Sequence, residues 1–110
     1  MSEPDQTFHK DAGKPRWSLV PVRALRTVLA VLEFGSRKYA ARSYLTVPQA
    51  RERYTESLMR HAMDVLEAVQ ERGAEGVMVP DAETGLPHVA HIVCDGLILL
   101  DLAASEANDD

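Results

Sequence analysis

The chain is predicted to be all-α: a small bundle of about three main helices with an extended N-terminal arm. Two observations predict this fold class. Apolar residues recur at three- and four-residue spacing in three long segments, and these segments are separated by stretches carrying Gly35, Gly73, Gly85 and Pro87. No internal repeat, heptad array or low-complexity tract competes with that reading. A length of 110 residues suits one domain, 1–110, with a modest core. So few amphipathic helices bury little area by themselves, so self-association to a dimer or higher oligomer is expected to complete the core.

Residues 1–17 show no convincing period, and Pro4, Gly13 and Pro15 argue against a long regular element, so an arm is expected. Within it, Asp11 to Trp17 is dense in functional side chains. Lys14 and Arg16 flank a turn and suit phosphate oxygens, while the Trp17 indole can stack on a base or, as is commoner for tryptophan, pack against the body. Gly13-Lys14 is not a P-loop, since the first Gly and the Ser/Thr after Lys are missing.

The first helix is expected from Ser18 or Pro21 to Phe34, with Leu25, Val28, Leu29 and Leu32 as its apolar stripe and Gly35 as its terminator. Arg37, Lys38 and Tyr39 follow. They offer cations for phosphate and a ring for a base, or more plainly a solvated helix end whose cations complement the dipole. Residues 40–47 form a connection, and Thr46 to Gln49 has capping-box spacing.

The second helix is expected from Pro48 to Arg72, closed by Gly73. Leu58, Ala62, Val65, Leu66 and Val69 form its apolar stripe, while Arg60, Asp64, Glu67 and Glu71 lie opposite and His61 sits at the border. Antiparallel packing would turn His61 and Asp64 toward the third helix. Residues 73–86 make a Gly-rich acidic loop that brings Asp81 and Glu83 to the start of that helix, where its dipole alone is reason enough for acidic residues.

The third helix opens at Pro87 and runs through Leu102, leaving 103–110 as a frayed tail. His88, His91 and Asp95 are spaced i, i+3, i+7 and fall within roughly 60° of one another. Imidazole and carboxylate are both metal ligands and acid/base groups, so this stripe is the leading candidate site. Hydrogen-bonded boundary residues are the plainer alternative. The neighbouring face, Val89, Ile92, Val93, Leu97 and Leu100, is expected to pack into the core, with Cys94 as a small hydrophobe among them.

A single cysteine rules out an internal disulfide, and no uninterrupted apolar run approaches the roughly 20 residues of a membrane span. The polar N-terminus is unlike a signal peptide, so a soluble, cytoplasmic protein is expected. The net charge of -5 hides a division: residues 1–60 carry 11 Lys/Arg and 6 Asp/Glu, residues 61–110 carry 1 and 11. Overall acidity argues against general nucleic-acid binding. A basic half folded on an acidic half suits a nucleotide with its metal ion, although surface pairing alone would also account for it.

Asp11-Ala12-Gly13-Lys14-Pro15-Arg16, Phe34-Gly35 with Lys38-Tyr39, Arg60-His61, and Gly85-Leu86-Pro87-His88 with His91 form an ordered series. Over residues 8–102 this series resembles the dATP/dGTP diphosphohydrolase N-terminal family of bacteriophages, related to MazZ proteins. The resemblance implies a MazG-like all-α fold and metal-dependent, oligomeric hydrolysis of a purine dNTP to monophosphate and pyrophosphate. It implies His61, His88 and His91 in the catalytic site, with Lys14, Arg16 and Lys38 facing phosphates. Two features depart from the family pattern: residues 72–78 look like an insertion, and Asp95 stands where Asn is expected. The Glu-x-x-Glu pair that carries metal in MazG enzymes is absent, and the one Glu-x-x-Asp spacing, Glu106 to Asp109, lies in the tail.

Phosphoryl hydrolysis needs neutralised phosphates and an activated water, which a divalent metal, Mg²⁺ or Mn²⁺, supplies together with Lys or Arg. Direct histidine ligation favours Mn²⁺; alternatively the histidines bind phosphate and only Asp64, Asp81, Glu83 or Asp95 touch metal. Two rivals stand beside hydrolysis. One is a protein that sequesters a nucleotide or signalling nucleotide without turnover, and the other is a helical adaptor. An HD-type phosphohydrolase is disfavoured because no His-Asp dipeptide occurs.

Overall fold

The computed structural model describes residues 12–108. Residues 1–11 of the expected arm, including Asp11 of its motif, and residues 109–110 of the expected tail lie outside the described residues. Three helices, α1 (Val22–Lys38), α2 (Ala50–Arg72) and α3 (His88–Asn108), are joined through 3₁₀ turns at Ser43–Leu45 and Gly73–Met78, with another at Trp17–Leu19 ahead of α1. Pairing of extended backbone among the described residues is limited to one isolated bridge, Pro80 to Pro87. The fold is all-α, a small bundle.

Both α1 and α2 pack on α3. The α2/α3 pair is antiparallel: His61 meets His88 at one end, and Arg51 pairs with Glu106 at the other. Gly73 closes α2 as the sequence suggests. Its φ of 67° and ψ of -148° belong to a region essentially reserved for glycine, and its N–H donates to the Val69 carbonyl. The next turn then lies against α2 so closely that a Cβ on the buried Gly76 would overlap the Ala68 backbone and stand 2.7 Å from the Val69 nitrogen.

Several local expectations are corrected. Gly35 does not end the first helix, which continues to Lys38 with Tyr39 as its C-cap, because Gly35 keeps a right-handed backbone there. The Thr46 to Gln49 capping box does not form. Gln49 is itself the N-cap, at φ 55°, and the Thr46 hydroxyl donates to the Ser43 carbonyl instead. α3 passes Leu102 and runs to Asn108.

The core is small: Val28, Val31, Ala90, Cys94 and Ile98, flanked by Tyr44, Tyr54, Leu86 and Leu102. It does not use the α3 face that apolarity favours. Val93, Leu97 and Leu100 are 45%, 43% and 71% exposed, whereas His88 and Asp95 are 7% and 6% exposed. Ala90 and Cys94 are small enough for neighbouring helices to approach closely, so the inward face of α3 is the one that also carries the polar stripe. Exposed apolar stripes at i, i+4, i+7 recur on every helix: Leu25, Leu29 and Leu32 on α1, Met59, Met63 and Leu66 on α2, and Val93, Leu97 and Leu100 on α3.

The radius of gyration is 18.3 Å, against about 13 Å expected of a compact domain of this length. By length and composition His88–Glu106 would pass for a membrane span, with a mean hydropathy of 1.4, which corrects the expectation drawn from uninterrupted runs. Only 28% of that window is buried, so packing on α1 and α2 covers part of its apolar surface and leaves Val93, Leu97 and Leu100 exposed.

Candidate active site

A cavity of about 740 Å³ lies where the C-terminal end of α1, the middle of α2, the 81–84 turn and the face of α3 from His91 to Ile98 converge. That volume falls in the usual range for small-ligand sites. Its wall carries Lys38, Arg42 and Arg60, the rings of Tyr39, Tyr44 and Tyr54, and the acid/base groups His61, Asp81, Glu83, His91 and Asp95. A narrower groove of about 340 Å³ on the other side of the α2/α3 seam is lined by Asp64, Glu67, Glu71, Arg72, Asp81 and His88.

The three predicted catalytic histidines meet. His61 Nδ1 lies 2.7 Å from His88 Nδ1, and the His61 ring stacks on His91 with centroids 4.5 Å apart and planes 17° from parallel. His88 Nε2 is 3.6 Å from the Asp64 carboxylate. If the His88 Nε2–H is turned to Asp64, its Nδ1 accepts a hydrogen from His61 Nδ1, and His61 Nε2 is left with a free lone pair. Burial lowers the His61 pKa, as do the His91 and His88 charges, against the opposite pull of Asp81 and Asp64. The shift favours the neutral ring, with its lone pair free.

His91 Nε2 lies 2.8 Å from the Thr84 hydroxyl, and burial lowers its pKa too, with Asp81 pulling the other way.

The four predicted metal carboxylates part company. Asp64 stands with His61 and His88 in a group whose ligand atoms lie within 4.8 Å of one another. Asp81 is engaged in its own turn: Oδ1 accepts from the Glu83 and Thr84 amides at 3.0 and 2.8 Å and from the Thr84 hydroxyl at 3.2 Å. Burial would raise its pKa, but these bonds and the His91 charge bring it below the ordinary value. Glu83 pairs with Lys38 Nζ at 2.8 Å across the cavity mouth, which raises the Lys38 pKa. Asp95 lies one turn beyond His91, apart from the His61/Asp64/His88 group. Burial pushes it up to about 6, the Ser57 hydroxyl and Arg60 charge offsetting part of the effect.

Of the predicted phosphate ligands, Lys38 reaches the cavity wall. Arg37 is exposed and 3.9 Å from Glu33, and Lys14 and Arg16 line a shallow hollow of their own arm. Of the predicted stacking rings, Tyr39 borders the cavity with Lys38 Nζ 5.2 Å from its centroid. Trp17 is 81% exposed, so it is not packed against the body as tryptophan more often is.

Sequence reasoning missed Tyr54, Ser57, Thr84 and Arg42, while Arg60, expected opposite the apolar stripe, is exposed and also reaches the cavity wall. A signal existed for part of this set. Tyr54, Ser57 and His61 repeat the i, i+3, i+7 spacing of His88, His91 and Asp95, so two matching polar stripes face each other across α2 and α3. Thr84 and Arg42 carried none, since each is placed by loop conformation, Arg42 at a left-handed φ of 58°.

Comparison with curated proteins and with solved structures finds no match. Residues 4–110 match the family described as dATP/dGTP diphosphohydrolase, N-terminal, and the chain belongs to that family.

Proposed function

We propose that the protein hydrolyses purine deoxynucleoside triphosphates between the α and β phosphates, releasing the monophosphate and pyrophosphate. The observation that carries this reading is the Asp64–His88–His61 chain opening onto a cavity of nucleotide size whose wall also bears Lys38, Arg42 and Arg60. Those cations suit the phosphate charge. Lys38 exchanges its Glu83 partner for phosphate, which makes the Lys38/Glu83 pair the natural mouth of the site. His61 Nε2 takes the proton of the attacking water while the oxygen adds to the α phosphorus and the bond to the bridging oxygen breaks. His88 and Asp64 hold the His61 ring in the tautomer this needs.

The two imidazoles and one carboxylate of His61, His88 and Asp64 suit a divalent cation, and this mixed donor set favours Mn²⁺ over Mg²⁺. A cation bound there would supply charge neutralisation at the phosphates and lower the pKa of water. Ligation through either Nδ1 would require the proton of the His61–His88 hydrogen bond to move to another ring nitrogen or to leave.

A second copy of the chain is the partner that fits the exposed stripes of all three helices. Each stripe is apolar at helical spacing, and the extended shape and small core leave the single chain short of buried area. The cytoplasm is the proposed place of action, the host's if the protein is phage-encoded.

Incubation with dATP and dGTP, with and without Mn²⁺ or Mg²⁺, tests the reaction by product chromatography. Monophosphate and pyrophosphate are expected. Diphosphate with orthophosphate overturns the assigned bond, and tight retention without products turns the reading to nucleotide sequestration.

A further inference from the structure

Asp95 has no part in the hydrolytic chain, yet it is the most unusual group on the cavity wall. Its side chain is 6% exposed, and its Oδ2 is buried without a hydrogen-bond partner. Buried polar atoms without partners are rare in folded proteins, and a carboxylate oxygen is among the costliest to leave unsatisfied. Its surroundings change character along α3. His88 and His91 mark the hydrolytic end, and Asp95 is followed by Ile98 on an apolar wall where the Tyr44 and Tyr54 rings meet edge to face. Within the cavity His91 and Asp95 are four residues apart, about 6 Å along the helix axis, so phosphates held beside the stacked His61 and His91 rings leave the sugar and base to extend toward Asp95.

We infer that Asp95 is the base-selecting residue of the site and that its carboxylate accepts the two adjacent hydrogens of a guanine edge, the ring N–H and the 2-amino group. This rests on the nucleotide reading proposed above and adds the identity of the base. An ionised carboxylate only accepts hydrogen bonds. Guanine presents two neighbouring donors on that edge and meets both oxygens, whereas adenine presents a donor beside a ring nitrogen acceptor and leaves one oxygen facing a lone pair. The second torsion of an aspartate side chain is broad, so the carboxylate turns toward an entering base at little cost. A site that hydrogen-bonds a substrate group discriminates strongly against an analogue lacking it, because its own buried groups are then stranded.

Equilibrium binding of the α,β-imido analogues of dGTP, dITP and dATP to the full chain and to Asp95→Asn tests the inference, with folding of each checked by circular dichroism. For the wild type, dGTP is expected to bind at least about tenfold more tightly than dITP, which lacks the 2-amino group, and dATP more weakly still. Asn offers one donor and one acceptor, so Asp95→Asn is expected to lower the dGTP to dATP preference at least tenfold while adenine binding holds or improves. The wild-type ratio of dGTP to dITP binding, which reads the 2-amino contact without any variant, remains the deciding readout should Asp95→Asn fail to fold. Equal binding of the three analogues by the wild type, or an unchanged preference in Asp95→Asn, overturns the base assignment and leaves the nucleotide site standing. No binding of any analogue overturns both.

Discussion

His61 and His88 face each other Nδ1 to Nδ1 at 2.7 Å across the antiparallel seam of α2 and α3. A contact that short needs one donor and one acceptor, so the pair accommodates two neutral rings or one shared proton, and full protonation would set two donors against each other. The contact is a structural joint of the seam and, under the proposed hydrolysis, orients the base.

The joint should be sensitive to acid. The folded-state pKa of His61 is lowered, so the unfolded chain takes up the proton first, and the stability tied to the neutral ring is present above about 6.5 and lost as pH falls below it. His61→Gln should be less stable than the wild type at pH 7.5, with the gap narrowing toward pH 5. Urea melts in EDTA at both pH values measure it. A gap that does not change with pH would separate the ring's charge state from its contribution to the fold.

As a base, His61 should matter more than His91. His61→Ala is expected to lower kcat by about a hundredfold or more, the range in which positioned acid/base groups act. His91→Ala removes only the stacked ring and the Thr84 contact, so a smaller loss is expected. Both variants are to be assayed by pyrophosphate release; equal losses would assign the base elsewhere.

Asp95 works against stability near neutrality. A carboxyl held at about 6 in the fold against about 4 in the unfolded chain keeps its proton better when folded. Relative stability is therefore highest below about pH 4 and is lost as pH rises through 6, by up to about 3 kcal/mol. Asp95→Asn removes this titration and should gain on the wild type between pH 4 and pH 7. Thermal melts across that interval check it, and a constant difference would mean that burial does not perturb the carboxyl.

Gly76→Ala should destabilise by about 1–3 kcal/mol, since its Cβ would enter the α2 backbone at Ala68 and Val69, which no side-chain rotation can relieve. Ala74→Gly, at an exposed position of the same turn, is the control. Matching midpoints for Gly76→Ala and wild type in urea would contradict the close packing of this turn.

Leu97→Glu should leave the monomer fold nearly unchanged, because the side chain is 43% exposed in the single chain, and should shift association toward monomer. Light scattering over a concentration series measures this. A wild type that stays monomeric to millimolar concentration would leave the exposed stripes without the proposed partner.

How much was legible in the sequence differs by element. The number of helices and the places where α2 ends and α3 begins were legible, because Gly73 and Pro87 act through local backbone sterics that need no partner. So was the polar stripe of His88, His91 and Asp95, since helical periodicity alone aligns it. Which face of α3 turns inward was not. Periodicity identified two faces, and hydrophobicity favoured Val93, Leu97 and Leu100, but the single chain packs the side bearing small Ala90 and Cys94, where α1 and α2 approach closely and His88 finds the His61 ring. The cavity and the left-handed Arg42 at its wall likewise depend on contacts between residues distant in sequence. Local rules specify a helix and its stripes, whereas the choice between stripes is a property of the partners that pack on them.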